Sequence, residues 1–339
     1  RMNQGKRCWQ MLKLPLRPCV EFRPLTRIRG NLNQHISQSN KPGELTHHWK
    51  WWPRLNWTNS TLVVSLHLAG LFGFWYWPRP VDLALLLSLY LVSCLGIGLG
   101  YHRLLTHRGY KCQTWLRRML TWAGAAALQG GPARWVATHR RHHQNVDSEG
   151  DPHSPAASFF YGHVGWVMCW NARDDEDQRP LAPDVSGDDV WMRVLDRGIL
   201  FTLPWALSGI FCYVIAGWRG VLWGTVIRTL GLWHVTWCVN SVCHRWGRRP
   251  NETRDGSRNV WWVGLLSLGE GWHNNHHARP ASALHGWHWY EIDISGYIIR
   301  LLARSGLIWN VVRVFHGNSS LSEQSPVTQL KADNGELAE

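Results

Sequence analysis

A chain of 339 residues with 45% hydrophobic and 17% charged residues is too long for a mini-protein and too apolar for a disordered chain. Its 25 Trp and 19 His are far above ordinary usage, and indole rings favour membrane–water interfaces as well as cores. The formal charge of +13 is concentrated, because residues 1–58 hold 11 Lys/Arg against 2 Asp/Glu, leaving 25 against 21 for the rest. No helical or aromatic reader module accompanies that stretch, which argues against nucleic-acid binding and for attraction to anionic lipid.

The opening is Arg-rich and acid-poor, like a targeting peptide or sequence upstream of a true start. Residues 1–45 are therefore read as a basic extension that is disordered or absent from the mature protein. The mean hydropathy of −0.25 averages polar stretches with strongly apolar ones. A windowed reading finds four apolar runs, at about 60–77, 81–101, 199–218 and 221–240. Each is long enough to span roughly 30 Å as a helix. Pro78-Arg79-Pro80 separates the first pair and Arg219-Gly220 the second, so the runs predict two helical hairpins with both tips on one side. Arg103, Arg108, Lys111, Arg117, Arg118, Arg140 and Arg141 fall on the other side, which the positive-inside rule makes cytoplasmic.

The expected fold is thus an all-α integral membrane protein with four transmembrane helices and a cytoplasmic helical cap. Arg228 and His234 interrupt the fourth run, and Arg228 is expected to face the bundle interior and pair. Residues 317–339 are polar and read as a disordered tail, leaving 46–316 as the folded domain. The eight cysteines (Cys8, Cys19, Cys94, Cys112, Cys169, Cys212, Cys238, Cys243) form no CxxC pair and read as free thiols. Cys243, beside His244, is not read as a ligand.

Three histidine clusters lie on the presumptive cytoplasmic side: His102-x4-His107, His139-x2-His142-His143 and His273-x2-His276-His277. A lone HxxxxH is expected about once by chance at this histidine frequency, whereas two HxxHH clusters are not, so the pair carries the weight. Residues i, i+3 and i+4 share a helix face, so each HxxHH can aim three imidazoles at one place. On an α-helix His102 and His107 point about 140° apart, so they either straddle a helix end or serve different metals. Asn240-x3-His244 adds another same-face pair where the fourth run emerges. Nine His and one Asn exceed the needs of one ion and imply two metals, whose identity imidazole ligands alone leave open among iron, zinc, copper and nickel. His67, His163, His234, His285, His288 and His316 are read as structural.

These residues resemble the membrane fatty acid desaturases, in particular the delta-9 acyl-CoA desaturase type with its bacterial members. The matching text is Gly100-Tyr-His-Arg-Leu-Leu-Thr-His107, Gln129-Gly-Gly-Pro132 with Trp135, His139-Arg-Arg-His-His143, Gly150-Asp-Pro-His-Ser154, Gly162-His-Val-Gly-Trp166, Asn240-Ser-Val-Cys-His244 with Gly247, and Gly269-Glu-Gly-Trp-His-Asn-Asn-His-His277. Ordered matches run from about Asn56 to Asn310. The resemblance implies a di-iron centre held by His102, His107, His139, His142, His143, His244, His273, His276 and His277, with Asn240 contributing directly or through water. It implies an O2-dependent reaction that places a cis double bond, at delta-9, in a saturated acyl chain such as stearoyl- or palmitoyl-CoA. Asp151 and Glu270, beside the clusters, are candidates for orienting histidine N–H groups.

Stepping back from His102 along one helical face gives Gly98, Leu95, Cys94, Leu91 and Leu87 as candidate borders of an acyl tunnel. Animal members carry Arg and Asp before the second cluster where this chain has Ala137 and Thr138, so acyl-CoA and lipid-esterified acyl groups both stay open as substrates. No His-Pro-Gly-Gly heme signature occurs, so electrons are expected from a separate ferredoxin or b-type cytochrome with its reductase. The expected location is the inner membrane of a bacterium or the endoplasmic reticulum of a eukaryote, with the site facing the cytoplasm. Three alternatives have other consequences. A hydroxylase or a desaturase of other regiochemistry would share the scaffold and differ in product. A metal transporter would place carboxylates near mid-membrane, where the runs have none after Asp82. A zinc hydrolase would leave most of these histidines unexplained.

Overall fold

The computed structural model describes residues 55–169, 179–185 and 189–313. The extension 1–45, the tail 317–339, His316, Cys8 and Cys19 lie outside the described residues. In chain order the helices are α1 (Trp57–Leu71), α2 (Pro80–Leu95), α3 (Thr114–Ala125), α4 (Pro132–Asn145), α5 (Trp166–Met168), α6 (Val190–Leu195), α7 (Leu203–Val221), α8 (Arg228–Ser241), α9 (Trp261–Leu266), α10 (His273–Ala278) and α11 (Ile294–Arg304). A short antiparallel ribbon, β1 (Lys111–Cys112) with β2 (Ile308–Trp309), sets Lys111 opposite Trp309. The architecture is mostly helical, as expected.

Among the described residues, two helices are long and apolar enough to cross a membrane: Pro80–Thr106, and Gly198–Ser241, which runs through α7 and α8. The expected runs are shifted by local backbone chemistry. The first becomes the 15-residue α1 followed by a 3-10 turn at Phe72–Phe74, so Trp75–Trp77 are not helical. Asn56 starts α1, its side-chain oxygen accepting the Asn59 N–H at 3.0 Å. The second run continues past Tyr101 as a π-helical segment, Gly96–Thr106. Between the third and fourth runs the break falls at Gly217 (φ 66°, ψ −157°), two residues before the expected Arg219-Gly220, because glycine alone takes that conformation at little steric cost.

The breaks after the first and third apolar runs meet. The Arg79 guanidinium donates to the Ala216 carbonyl at 2.7 Å, and the Trp223 indole donates to the Tyr76 carbonyl at 2.7 Å. Asp82 accepts from both the backbone and the guanidinium of Arg79, which caps the first turn of α2. Arg228 points inward, as expected, and is 1% exposed. Its partners are not carboxylates. It donates to the Gly224 and Ala126 carbonyls and to the Ser93 and Ser208 hydroxyls, so polar oxygens from three parts of the chain converge on it.

The segment that carries His102 is positioned by glycines. A Cβ added at Gly96 would overlap backbone atoms of Ala123 and Gly124, and one at Gly100 would press on the Leu120 carbonyl. α3 therefore packs directly on the backbone of the π-helical segment. Below it Leu99, Tyr101, Tyr110, Val136, Ile299 and Ile308 form the buried core. Gly96→Ala should separate these elements rather than be absorbed by a side-chain shift. The expected outcome, read by thermal unfolding in detergent, is a loss of at least about 2 kcal/mol of stability, whereas Gly231→Ala, with nothing within 4 Å of the new methyl, should leave the midpoint near that of the wild type.

Candidate metal centre

The nine imidazoles come from four places on the fold. The π-helical segment ends on His102 and His107, α4 carries His139, His142 and His143, the turn after α8 carries His244, and α10 carries His273, His276 and His277. α4 starts at Pro132, in the first-turn position proline tolerates best, and the Asp196 carboxylate accepts the Ala133 N–H at 2.9 Å. Burial pushes the Asp196 carboxyl up to about 6. α10 is a six-residue helix made largely of weak helix formers, held by amide side chains. Asn259 accepts the N–H groups of Asn274 and Asn275 at 2.9 and 3.2 Å, and the Asn275 amide donates to the His285 carbonyl and the Glu291 carboxylate.

The histidines divide into two groups in which the nitrogens lie within 4.8 Å of one another. One holds His102, His107, His139, His143 and His276; the other holds His142, His244, His273 and His277. One expectation is thereby corrected. Each HxxHH does not aim at a single place but splits, because i and i+4 lie about 40° apart on a helix while i+3 lies about 100° from i+4. His139 and His143 go one way and His142 the other; His273 and His277 go one way and His276 the other. His102 and His107 straddle the end of a helical segment, one of the two arrangements expected, with His107 as the residue that caps it. The His107 N–H bonds the His102 carbonyl at 3.1 Å, an i to i+5 bond, and this wider turn brings the two rings to 4.8 Å between centroids in the same group.

Carboxylates set the direction of four rings. His102 Nδ1 meets Glu270 Oε2 at 2.5 Å, and His142, His244 and His277 meet Asp151, Asp147 and Asp255, each through Nδ1 at 3.0 Å. An Nδ1–H donated to a carboxylate leaves Nε2 with an inward-facing lone pair. Nε2 atoms then face one another: His102 and His276 at 3.2 Å, His143 and His139 at 3.0 Å, His276 and His143 at 3.0 Å, and His244 and His273 at 3.0 Å. The Nε2 atoms of His107 and His277 are buried with no hydrogen-bond partner. Convergent, unprotonated nitrogen lone pairs need cations between them, so the donor set fits transition-metal ions, one per group. Burial, and then the neighbouring imidazoles, hold His139, His143, His273, His276 and His277 well below the ordinary 6.5, the neutral state a metal ligand requires. For Asp151 and Asp147, burial acts upward, but the hydrogen bond and charge of His142 and His244 outweigh it and bring both to about 2.

Asp151 and Glu270 thus stand where orienting groups would, and Glu270 is itself gripped by the buried Arg103, which also binds Asp293. Asp147 and Asp255 were not anticipated. Asp147 lies four residues after His143 and could have been suspected, whereas Asp255 sits in a loop with no sequence signal. His285, expected to be structural, packs 4.6 Å from His276 with its Nδ1 3.3 Å from Glu270. His153, part of the Gly150-Asp-Pro-His-Ser154 text, lies 4.4 Å from His142 between ring centroids, with its Nδ1 3.8 Å from Asp151.

Asn240 belongs to the wall of a cavity of about 380 Å³ that reaches the site. Val63, Leu128, Trp135, His139 and Trp237 line it too, and Arg134 and Asp196 stand among its polar residues. The expected tunnel along α2 is not this cavity. Leu87, Leu91, Cys94, Leu95 and Gly98 are absent from its wall, Leu87 and Leu91 are exposed on α2, and Gly98 lies beneath Glu270. The stripe chosen by stepping back from His102 followed an α-helical period that the π-helical segment interrupts.

The fatty acid desaturase family model matches residues 79–309. Among curated relatives, the sn-1 stearoyl-lipid 9-desaturase of Anabaena variabilis is 40% identical over 263 residues, covering 76% of this chain and 94% of the relative. The palmitoyl-monogalactosyldiacylglycerol delta-7 desaturase of Arabidopsis thaliana is 40% identical, covering 77% of this chain and 71% of its own. The icosanoyl-CoA 5-desaturase of Limnanthes douglasii is 39% identical, with coverages of 77% and 73%.

Two outcomes are expected from the geometry. Asp255→Asn keeps a hydrogen-bonding group on His277 but removes the charge that polarises it, so metal affinity should fall by roughly 10- to 100-fold, measured by metal analysis after dialysis against a graded chelator. The depressed imidazoles make the metal-free protein pH-sensitive on one side only. Above the ordinary histidine value of 6.5 folded and unfolded chains are both neutral at these sites. Below it the unfolded chain takes up protons that the folded one cannot, so the unfolding midpoint should fall steadily from pH 7 to pH 5 in a detergent thermal scan.

Proposed function

The chain belongs to the fatty acid desaturase family, of delta-9 type, and is an oxidoreductase; from that premise we propose that it binds two iron ions, one per histidine group, and uses O2 to insert a cis double bond at delta-9 of a saturated acyl chain. The observation that carries the reading is the splitting of the nine imidazoles into groups of five and four beside a cavity that His139 helps to line. Iron bound there would supply the oxidising power that removal of hydrogen from an unactivated CH2–CH2 pair demands. The balance is one acyl CH2–CH2, O2, two electrons and two protons giving CH=CH and two waters. The electrons come from a separate carrier, a ferredoxin or b-type cytochrome with its reductase.

The chain's own residues account for the rest. His102, His142, His244 and His277 are held in one tautomer by Glu270, Asp151, Asp147 and Asp255, so the site is preorganised. Asn240, on the cavity wall one turn before His244, joins the iron shell directly or through water. Val63, Leu128 and Trp237 give the cavity an apolar wall that fits a methylene chain and excludes water, while Trp135 and His139 place the chain's reacting carbons at the histidine end.

The acyl carrier is read as a membrane lipid. This follows the names of the relatives from Anabaena variabilis and of the delta-9 acyl-lipid desaturase of Arabidopsis thaliana, and the absence of Arg and Asp at Ala137 and Thr138. Acyl-CoA is the second reading, favoured by the relative that acts on icosanoyl-CoA. The four apolar runs are read as four spans in two hairpins, supported by the meeting of both tips through Arg79 and Trp223, with the histidines at the opposite, cytoplasmic end. Residues 46–316 would make up the desaturase domain, flanked by the basic extension 1–45 and the polar tail 317–339.

Expression in a host that supplies a compatible electron-transfer chain, with total fatty acids profiled by gas chromatography–mass spectrometry, should reveal a new cis-monoene. His276→Ala should abolish it while the protein stays membrane-inserted. A hydroxylated product in place of the monoene would select the hydroxylase reading, and zinc in place of iron would remove the redox reading altogether. Supplying labelled acyl-CoA and labelled acyl-lipid to the purified protein distinguishes the carriers. Val63→Trp should shift the product profile toward shorter chains by filling the cavity, whereas Leu91→Trp, on the outer surface of α2, should leave it unchanged.

A further inference from the structure

Three histidines outside the metal centre form a continuous chain. His67 Nδ1 lies 2.7 Å from the Val63 carbonyl, and its Nε2 lies 3.1 Å from His234 Nε2. His234 Nδ1 then lies 3.0 Å from His163 Nε2, and His163 Nδ1 lies 2.9 Å from Ser241 Oγ, which donates to the Trp237 carbonyl at 2.8 Å. The chain ties α1, α8 and the π-helical turn Tyr161–Gly165 together.

A proton count shows what the chain lacks. Both ends are carbonyls, which only accept. Five contacts therefore need five protons, while three neutral imidazoles and one hydroxyl supply four. A neutral chain has to forgo one contact; a chain with one added proton makes all five. Distances of 3.0 and 3.1 Å between ring nitrogens suit N–H···N bonds. Among the described residues, the ionisable groups of the three tied elements and their neighbours are few. α1 carries no other ionisable side chain. On α8 the Arg228 guanidinium is committed to Gly224, Ala126, Ser93 and Ser208, and the remaining ionisable group is the Cys238 thiol. The Tyr161 hydroxyl bonds the Pro152 carbonyl, and the Cys169 thiol ends the neighbouring α5. Phe159 and Trp237 stack on or edge against His163.

The three tied elements are also walls of the cavity. Asn59, Leu62 and Val63 come from α1, Trp233, Trp237 and Asn240 from α8, and Trp166 and Val167 follow directly on the π-helical turn. We infer that His67, His234 and His163 form a binding site for a single proton, and that its occupation clamps α1 and the 161–168 segment onto α8, closing the membrane-facing side of the cavity. Release of the proton leaves one contact unmade and loosens that side for entry of a lipid acyl chain. Burial holds His163 below the ordinary imidazole range, so the bound proton is given up readily. The lipid-entry part rests on the reading of the cavity as the acyl site; the proton count does not.

The test is hydrogen–deuterium exchange of the full-length protein in lipid nanodiscs at pH 5 and pH 7, a window set below the ordinary histidine value because His163 is held down, corrected for intrinsic exchange rates. In the wild type, protection of 57–71 and 161–168 should drop by roughly tenfold at the higher pH. His67→Gln, whose amide nitrogen carries two donors and so removes the proton shortage, should be equally protected at both values. His234→Phe should be loose at both. Protection independent of pH in the wild type, or an equal pH response in His67→Gln, would overturn the clamp. Because His67→Gln keeps hydrogen-bonding capacity, it decides the matter even where His234→Phe does not fold. Exchange is read without turnover, so absence of a monoene in the expression experiment would sink the desaturase reading while leaving this one standing on its own result.

Discussion

The arrangement depends on one interaction repeated four times: a buried or half-buried carboxylate holding the Nδ1 of an imidazole. In water a neutral histidine samples two tautomers and many ring orientations. Against Glu270, Asp151, Asp147 or Asp255 it has one tautomer and one direction, with the Nε2 lone pair turned inward. Burying these pairs is costly unless every member is satisfied. The surrounding fold meets that demand. Arg103 donates to both Glu270 and Asp293, Gly256 donates to Asp147, and a ladder of Asn side chains holds the short helix that carries three of the rings.

Backbone irregularity serves the same end. The π-helical segment Gly96–Thr106 is wider than an α-helix, which places His102 and His107 on one side and leaves Gly96 and Gly100 flat against α3. A regular helix would send His107 away from its group, and side chains at the glycines would push α3 off. Such segments cost stability and persist where neighbouring packing over-determines them. Here the packing is that of Tyr101, fully buried beside Trp135.

The metal centre and the cavity are parts of one wall. Trp135 and His139 on α4 face the cavity, and the other edge of α4 sends His142 to the second histidine group. A chain lying in the cavity therefore meets the centre through α4 and α8, not along α2. The cavity wall combines polar residues, Arg134 and Asp196 among them, with apolar ones such as Val63 and Leu128.

What the sequence by itself determined is what depends on composition and short spacing. The four apolar runs, the hairpin breakers, the inward Arg228 and the membership of nine histidines in one constellation all follow from residues within a few positions of each other. The family text from His102 to His277 identified the chemistry, and Asp151 and Glu270 were legible because they sit beside the clusters. The partition of those histidines into five and four was decided by tertiary structure. It depends on a π-helical turn and on helix-face angles that spacing alone leaves ambiguous. Asp255, His285 and the cavity wall were invisible for the same reason: Asp255 and His285 come from loops and the cavity wall from several helices, and no local pattern encodes a contact made only when α4, α8 and α10 close around one point. The triad His67, His163 and His234 is the clearest case. Each is an isolated histidine in the sequence, and folding alone places their ring nitrogens about 3 Å apart in series.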